Sequence, residues 1–379
     1  MIRSQLRAAR AGFVLVLACS SLSFAARPKF HIIDSLALGG LGDGDELAVD
    51  STSGHLCISR GSFVQVIDMQ DYSLVGNVPD TRGVHGIAVA PITGRGYTSN
   101  GADSSVTVFD LSTLNVVARI SIDGVNPDAI LFDRFTGRIF TFNSGSGNAT
   151  VIDAATNGVL GTVELNGRPS GAVSDQQGTI YVTIEDRGEL AEIDARTMAV
   201  LHRWPLAPGK SPRGLAIDPV RRRLFSGCSN RLLVVVDAGN GRVISTLPIG
   251  RDVGAVAFDP ANRTVFTSNG EGTITVIAEK SAHSYRVEDI VPTRKGARTL
   301  VVDDRTHRLY TVTAAFAPPS QAAPGHPHPP PCHGAGERGT LHIEQIAAIR
   351  WRVRQFLGSR SHGASSPRML QRTFPYSFR

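Results

Sequence analysis

An apolar strand, a tight turn and an aromatic-led strand recur seven times between Leu47 and Thr313. The second strands of these units open at Leu56, Tyr97, Phe140, Tyr181, Phe225, Phe266 and Tyr310, with steps of 41, 43, 41, 44, 41 and 44 residues. An acid ending the third strand keeps the same period, at Asp68, Asp110, Asp153, Asp194 and Asp237. Four short strands per unit at a period near 40 to 45 read as a β-propeller, here all-β with seven blades. A linear solenoid is the alternative, and units this long are unusual for it.

Unit three shows the four strands. Ala129–Asp133 and Arg138–Asn143 are followed by Thr150–Asp153 and Val159–Val163. Thr136-Gly137 and Asn157-Gly158 supply turn residues that tolerate left-handed backbone. One such sheet cannot bury both faces, so each blade must sandwich its neighbour. Phe30–Ala37 precedes the first complete unit and matches only a fourth strand. It is expected to close blade seven, removing the free edges that promote aggregation.

Four segments follow from composition. Residues 1–25 read as a secretory signal, with Arg3, Arg7 and Arg10, an apolar run, and Ser23-Phe24-Ala25 before cleavage. Lipoprotein processing at Cys19 is the rival reading. The mature chain is therefore expected in the periplasm or outside the cell, with no transmembrane segment after processing. Residues 26–316 hold the propeller. Residues 317–340 are a Pro- and His-rich loop whose His326, His328, Cys332 and His333 have a metal-like composition but lack spacing on rigid elements. Residues 341–379 form an Arg-rich tail. Apolar positions 343, 346, 349, 353 and 357 predict a short helix over 341–357. No third strand is then available to blade seven, which is expected to be incomplete.

The chain carries 39 basic and 33 acidic residues. Ten of the basic ones lie in the signal and in residues 345–379, which hold no acids, leaving 29 against 33 elsewhere. A mildly acidic propeller gives no support for a nucleic-acid partner. Cys57 and Cys228 fall in blades one and five and should be buried free thiols.

Loops before the first strand and after the second strand of every blade open on one face of a propeller. The first set brings Asp43, Asp45, His85, Asp128, Arg168, Arg213, Asp252 and Arg298 to the channel mouth. The second brings Arg60, Asn100, Asn143, Glu185, Asp186, Asn230 and Asn269. Arg168, Arg213 and Arg298 could clamp an anion through forked hydrogen bonds. His85 and Asp128, from adjacent blades, suggest an acid–base pair. The plainer role for the Asn residues is to cap their own turns.

Tyr97-Thr98-Ser99-Asn100, Phe140-Thr141-Phe142-Asn143 and Phe266-Thr267-Ser268-Asn269 resemble the Tyr-Val-Thr-Asn repeat of the bacterial YVTN-family propellers. The resemblance extends through Gly83-Val84-His85-Gly86 and Asn126-Pro127-Asp128-Ala129 and covers roughly residues 30–316. It implies an exported, monomeric, seven-bladed propeller whose biochemical role is mostly undefined. The Arg-rich, Lys-free ending departs from the family and reads as a shifted frame.

The sequence thus points to a non-enzymatic binding or scaffold propeller with no cofactor and no metal. Its partner is expected to be a small polar or anionic ligand at His85, Asp128, Arg168, Arg213, Asp252, Arg298, Asn100, Asn143 and Glu185, or another protein. The alternatives are a lactonase-like hydrolase, holding a divalent ion through Glu185, Asn143, Asn100 and Asp252, and a single-stranded nucleic-acid binder.

Overall fold

The computed structural model describes residues 30–38, 44–315 and 340–348. Its twenty-eight strands form seven antiparallel sheets of four. Blades one to six span residues 47–78, 84–121, 127–164, 169–205, 212–248 and 253–292, each with its strands in chain order. The expected signal and nearly all of the Pro- and His-rich loop, with its histidines and Cys332, lie outside the described residues.

The periodic acids are turn caps. Asp110 accepts hydrogen bonds from the amides and hydroxyls of Ser112 and Thr113, which hold its carboxyl down at about 2. Asp153 and Asp194 receive the equivalent amides of Ala155 and Thr156, and of Arg196 and Thr197. The chain then passes through a left-handed residue four positions on, at Tyr72, Leu114, Asn157, Met198 and Gly241. Each of these five amides returns to the carbonyl of the acid. A short polar side chain at that spot offers the turn an alternative to further strand, which is why the acid recurs with the period.

Seven apolar clusters fill the spaces between neighbouring blades, and the aromatic heads of the second strands lie within them. Tyr97, Phe140, Phe225 and Leu56 are fully buried. Two of the three Tyr heads also bond across the seam. Tyr97 Oη donates to the Ala154 carbonyl at 3.1 Å and Tyr181 Oη to the Ala238 carbonyl at 3.0 Å. Cys57 and Cys228 are buried free thiols whose burial raises them to about 12 and about 11.

Blade seven is complete, which corrects the expectation of an incomplete blade and of a helix over 341–357. Its order from the axis outward is Val301–Asp303, Arg308–Ala315, Thr340–Ala348 and Phe30–Ala37. Thr340–Ala348 pairs with both neighbours, as in Thr311↔Glu344 and Phe30↔Ala348. Ile343 and Ile346, three apart, sit on opposite faces of this strand. Ile343 enters the cluster shared with blade one, and Ile346 the cluster shared with blade six. A strand buried on both faces has no alternation, so its apolar spacing imitated a helix. The N-terminal strand closes the ring as expected, and Phe30 N–H also bonds Asp289 of blade six at 3.1 Å.

Candidate functional site at the channel mouth

The innermost strands of blades two to six share a bulge near their start. In blade two Val84 pairs with Asn100 and Ile87 with Thr98, so His85 and Gly86 together oppose one residue, Ser99. Register shifts at the same place free Asp128, Ser170, Arg213 and Gly254 in the next four blades. Blades one and seven show no such bulge, and counting back three from Val49↔Leu56 and Val301↔Tyr310 gives Glu46 and Arg298 as the equivalent positions. A bulge re-aims side chains out of the alternating pleat. One equivalent position from every blade thus presents Glu46, His85, Asp128, Ser170, Arg213, Gly254 and Arg298 around the mouth.

Hydroxyls hold the position in place. Ser99 Oγ receives the Gly86 amide at 2.9 Å and donates to the Asp128 carbonyl of the next blade. Ser268 Oγ receives the Ala255 amide at 3.1 Å and donates to the Arg298 carbonyl at 2.6 Å. Thr183 Oγ1 reaches the Arg213 carbonyl at 3.0 Å. The backbones abut so closely that a Cβ on Gly171 would fall 2.3 Å from the Arg213 oxygen, and one on Gly254 2.0 Å from the Arg298 oxygen. Glycine is required there by contact rather than by backbone angle.

On the side of blades one to three, His85 Nδ1 meets Asp45 Oδ2 at 2.7 Å. This hydrogen bond raises the imidazole above its ordinary value against the opposing effect of burial, and the charges of Asp45, Asp128 and Glu46 add to the rise. Asp45 of blade one is thus a partner of His85, and the charge of Asp128 acts on the same ring. Glu46 keeps an exposed surface. Loss of solvent around its carboxyl, with repulsion from Asp45 and Asp128, pushes it up to about 8, while His85 and the Ile87 amide pull it back.

On the side of blades four and five, Arg168 and Arg213 converge on one oxygen. Their Nη2 atoms lie 3.2 and 3.1 Å from Glu185 Oε1, with Glu185 mostly buried between them. Asp186 caps the Arg168 amide at 2.7 Å. Arg298 is exposed, with no ion-pair partner among the described residues. Asp252 is exposed too, in a left-handed conformation, with Oδ2 against the Gly270 backbone.

Asn100 and Asn143 face away from the mouth. Both are fully buried. Asn100 Nδ2 donates to Ser105 and Thr107, and Asn143 Nδ2 to Asn148 and Thr150, tying second strands to third strands. Asn269 repeats the arrangement with Thr273 and Thr275. Arg60 is also buried, against Gln65 and over the Phe63 ring. The four oxygen donors of the hydrolase reading are thus not brought together. Among the described residues no group of three or more His, Cys, Asp or Glu is placed to hold a metal ion.

Glu46 was absent from the sequence-derived set although Asp43 and Asp45 of its loop were in it. Its signal was available, since it precedes His85 by 39 residues, close to one period. A cleft of ≈ 580 Å³ opens on the opposite face between blades four and five, lined by Asp175, Gln177, Tyr181, Val220 and Arg222 among others. It shares no residue with the mouth.

No protein-family profile matches the sequence, and no curated protein matches it. Solved structures do. The chain is similar to Kuenenia stuttgartiensis hydrazine synthase, at 16% identity and a TM-score of 0.65, covering 72% of this chain and 93% of that one. It is also similar to a chain in the crystal structure of a mitotic checkpoint complex, at 13% identity and a TM-score of 0.68, covering 81% and 96%. At such identities the likeness is one of fold alone, and that fold is the seven-bladed β-propeller.

Proposed function

We propose that the chain is an exported, non-enzymatic binding module of the YVTN type, acting as a monomer in the periplasm or outside the cell. Its channel mouth takes a small polar or anionic ligand. The carrying observation is the pair of guanidiniums, Arg168 and Arg213, held from two blades on a single carboxylate oxygen. Two forked donors sharing one acceptor retain further N–H groups for an oxyanion. Arg298 extends the basic side. Convergent polar groups on a rigid ring are the usual makings of a ligand site. The alternation of acidic and basic loops offers no continuous basic track for a nucleic acid. Among the described residues no helix is long and apolar enough to cross a membrane.

Export rests on residues 1–25 and is checked by N-terminal sequencing of the fractionated protein. Binding is checked by calorimetric titration of inorganic phosphate, sulfate and small di- and tricarboxylates. The triple substitution Arg168→Ala, Arg213→Ala, Glu185→Gln leaves no buried charge unpaired. It should weaken binding at least about tenfold, since charge-assisted hydrogen bonds contribute roughly 1.5–3 kcal/mol each. Unchanged affinity in a folded variant removes the clamp.

A further inference from the structure

The end of the ring opposite the mouth is built from the turns between first and second strands and between third and fourth strands. The second residue of the first kind of turn is Ile92 in blade two, Phe135 in blade three and Val220 in blade five, and is polar or alanine in the other blades. These three side chains are 75%, 45% and 82% exposed. An apolar residue at so open a position adds little to the core. Near the starts of the fourth strands of blades two to four, Val117, Val159, Leu160 and Leu201 are exposed at the same end.

The exposed charges around these tips are of one sign. Among the described residues, the exposed charged side chains in the turns of blades two to five at this end are Arg134, Arg196, Arg222 and Arg242. Arg134 adjoins Phe135, the Arg196 guanidinium lies 4.3 Å from the centre of the Phe135 ring, and Arg222 follows Val220 by two residues. The acids of the same blades are drawn into the turns. Asp110, Asp133, Asp153, Asp194, Asp218 and Asp237 accept amides of the turns they begin, and Asp175 accepts those of Gln177 and Thr179. Each of these carboxylates is buried or half-buried. The exposed acids in turns of this end, Asp71 and Asp304, belong to blades one and seven.

Apolar tips carried on separate turns, with arginines among them, suit a fluid apolar phase beneath a layer of anionic groups. A second folded surface would call for one continuous apolar patch instead. Arginine stems can lie along the apolar region while their guanidiniums stay at its polar boundary. We infer that this end docks on the surface of a bilayer containing anionic lipid. Ile92, Phe135 and Val220 enter the headgroup region, and Arg134, Arg196, Arg222 and Arg242 meet lipid phosphates. Docked in this way, the chain holds its mouth, at the other end of the ring, open to water. The two ends share none of these residues, so the inference stands apart from the ligand reading of the mouth.

The test is co-sedimentation of the mature protein with vesicles of phosphatidylcholine, with and without phosphatidylglycerol. Binding to the anionic vesicles is expected, falling as salt is raised, with little binding to phosphatidylcholine alone. Ile92→Ser combined with Val220→Ser, at the two most open tips, should leave the fold intact by circular dichroism and weaken binding at least about tenfold. Adding Phe135→Ser should weaken it further. Val125→Ser, at an exposed apolar residue of the mouth end, should bind as the parent does. Undiminished binding by the folded double variant would assign the affinity to charge alone, that of residues 349–379 included, and overturn the inference. A parent that ignores both kinds of vesicle overturns it too, and self-association lost in the double variant would then show that the tips join copies of the chain.

Discussion

Glu46 shows how a ring changes the chemistry of one side chain. In the unfolded chain its carboxyl titrates near the ordinary value of 4.5; in the folded chain it does so at about 8. Between those values the folded state holds a proton that the unfolded state has released, so stability falls as pH rises through the window. Glu46→Gln should flatten that fall. Urea denaturation should find the variant no more stable than the parent at pH 4 and more stable at pH 9. His85 follows the same direction, since its raised value gives stability that is full below 6.5 and lost as pH rises through the folded value. It remains in both proteins, so the comparison isolates Glu46 and its hold on His85. A difference of equal size at both pH values would mean that Glu46 titrates like a solvated carboxylate.

At the scale of the element, the blades are joined by the aromatic heads of their second strands and by hydroxyls at the mouth. Where the head is Tyr97 or Tyr181, its phenol donates to a carbonyl that follows the third strand of the next blade. Those carbonyls keep a second donor, Arg95 on Ala154 and Arg222 on Ala238, each at 3.3 Å. Tyr97→Phe and Tyr181→Phe should therefore each cost about 0.5–1.5 kcal/mol. The two seams share no partner, so the double variant should lose the sum. Guanidinium denaturation of the four proteins checks this, and a double variant no weaker than either single would show the seams to be coupled. The outer strands carry another regular device, a bulge in every blade that places one extra residue in the outer strand. These residues are Ile33, Val75, Val117, Leu160, Leu201, Ile244 and Glu288. A bulge bends the strand and blunts the outer edge of each sheet, where another chain would otherwise add.

For the whole molecule, the closing blade joins strands from residues 30–37 and 301–348. Leu341, Ile343 and Ile346 are buried against blades one and six, and their strand supplies the ladder for both Arg308–Ala315 and Phe30–Ala37. Burying each side chain contributes roughly 1.5–3 kcal/mol, so together they approach a domain's margin of about 5–15 kcal/mol. A chain ending at residue 339 should open at this seam. Limited proteolysis is expected to cut first within residues 30–38 and 301–315, with the unfolding midpoint falling steeply. A truncated chain that melts with the full-length protein would show that the ring closes without Thr340–Ala348.

The period of the heads and acids was legible because both are local: an aromatic starts a buried strand, and an acid caps a turn, whatever surrounds them. The same locality made the N-terminal strand legible as the missing fourth strand of a repeat. The mouth was legible only as a set of loops. Asn100 and Asn143 were placed there by position, but a side chain's direction depends on the strand beside it, and Thr107 and Thr150 draw them inward. For His85 the sequence offered Asp128, and the structure adds Asp45, from the loop before blade one, as a hydrogen-bond partner. Thr340–Ala348 lay outside the repeat's spacing and lacked alternation because both of its faces are buried. Sequence determined how many blades there are and where each begins; packing between blades decided which strand closes them and which charges meet at the mouth, because both depend on contacts between residues far apart in the chain.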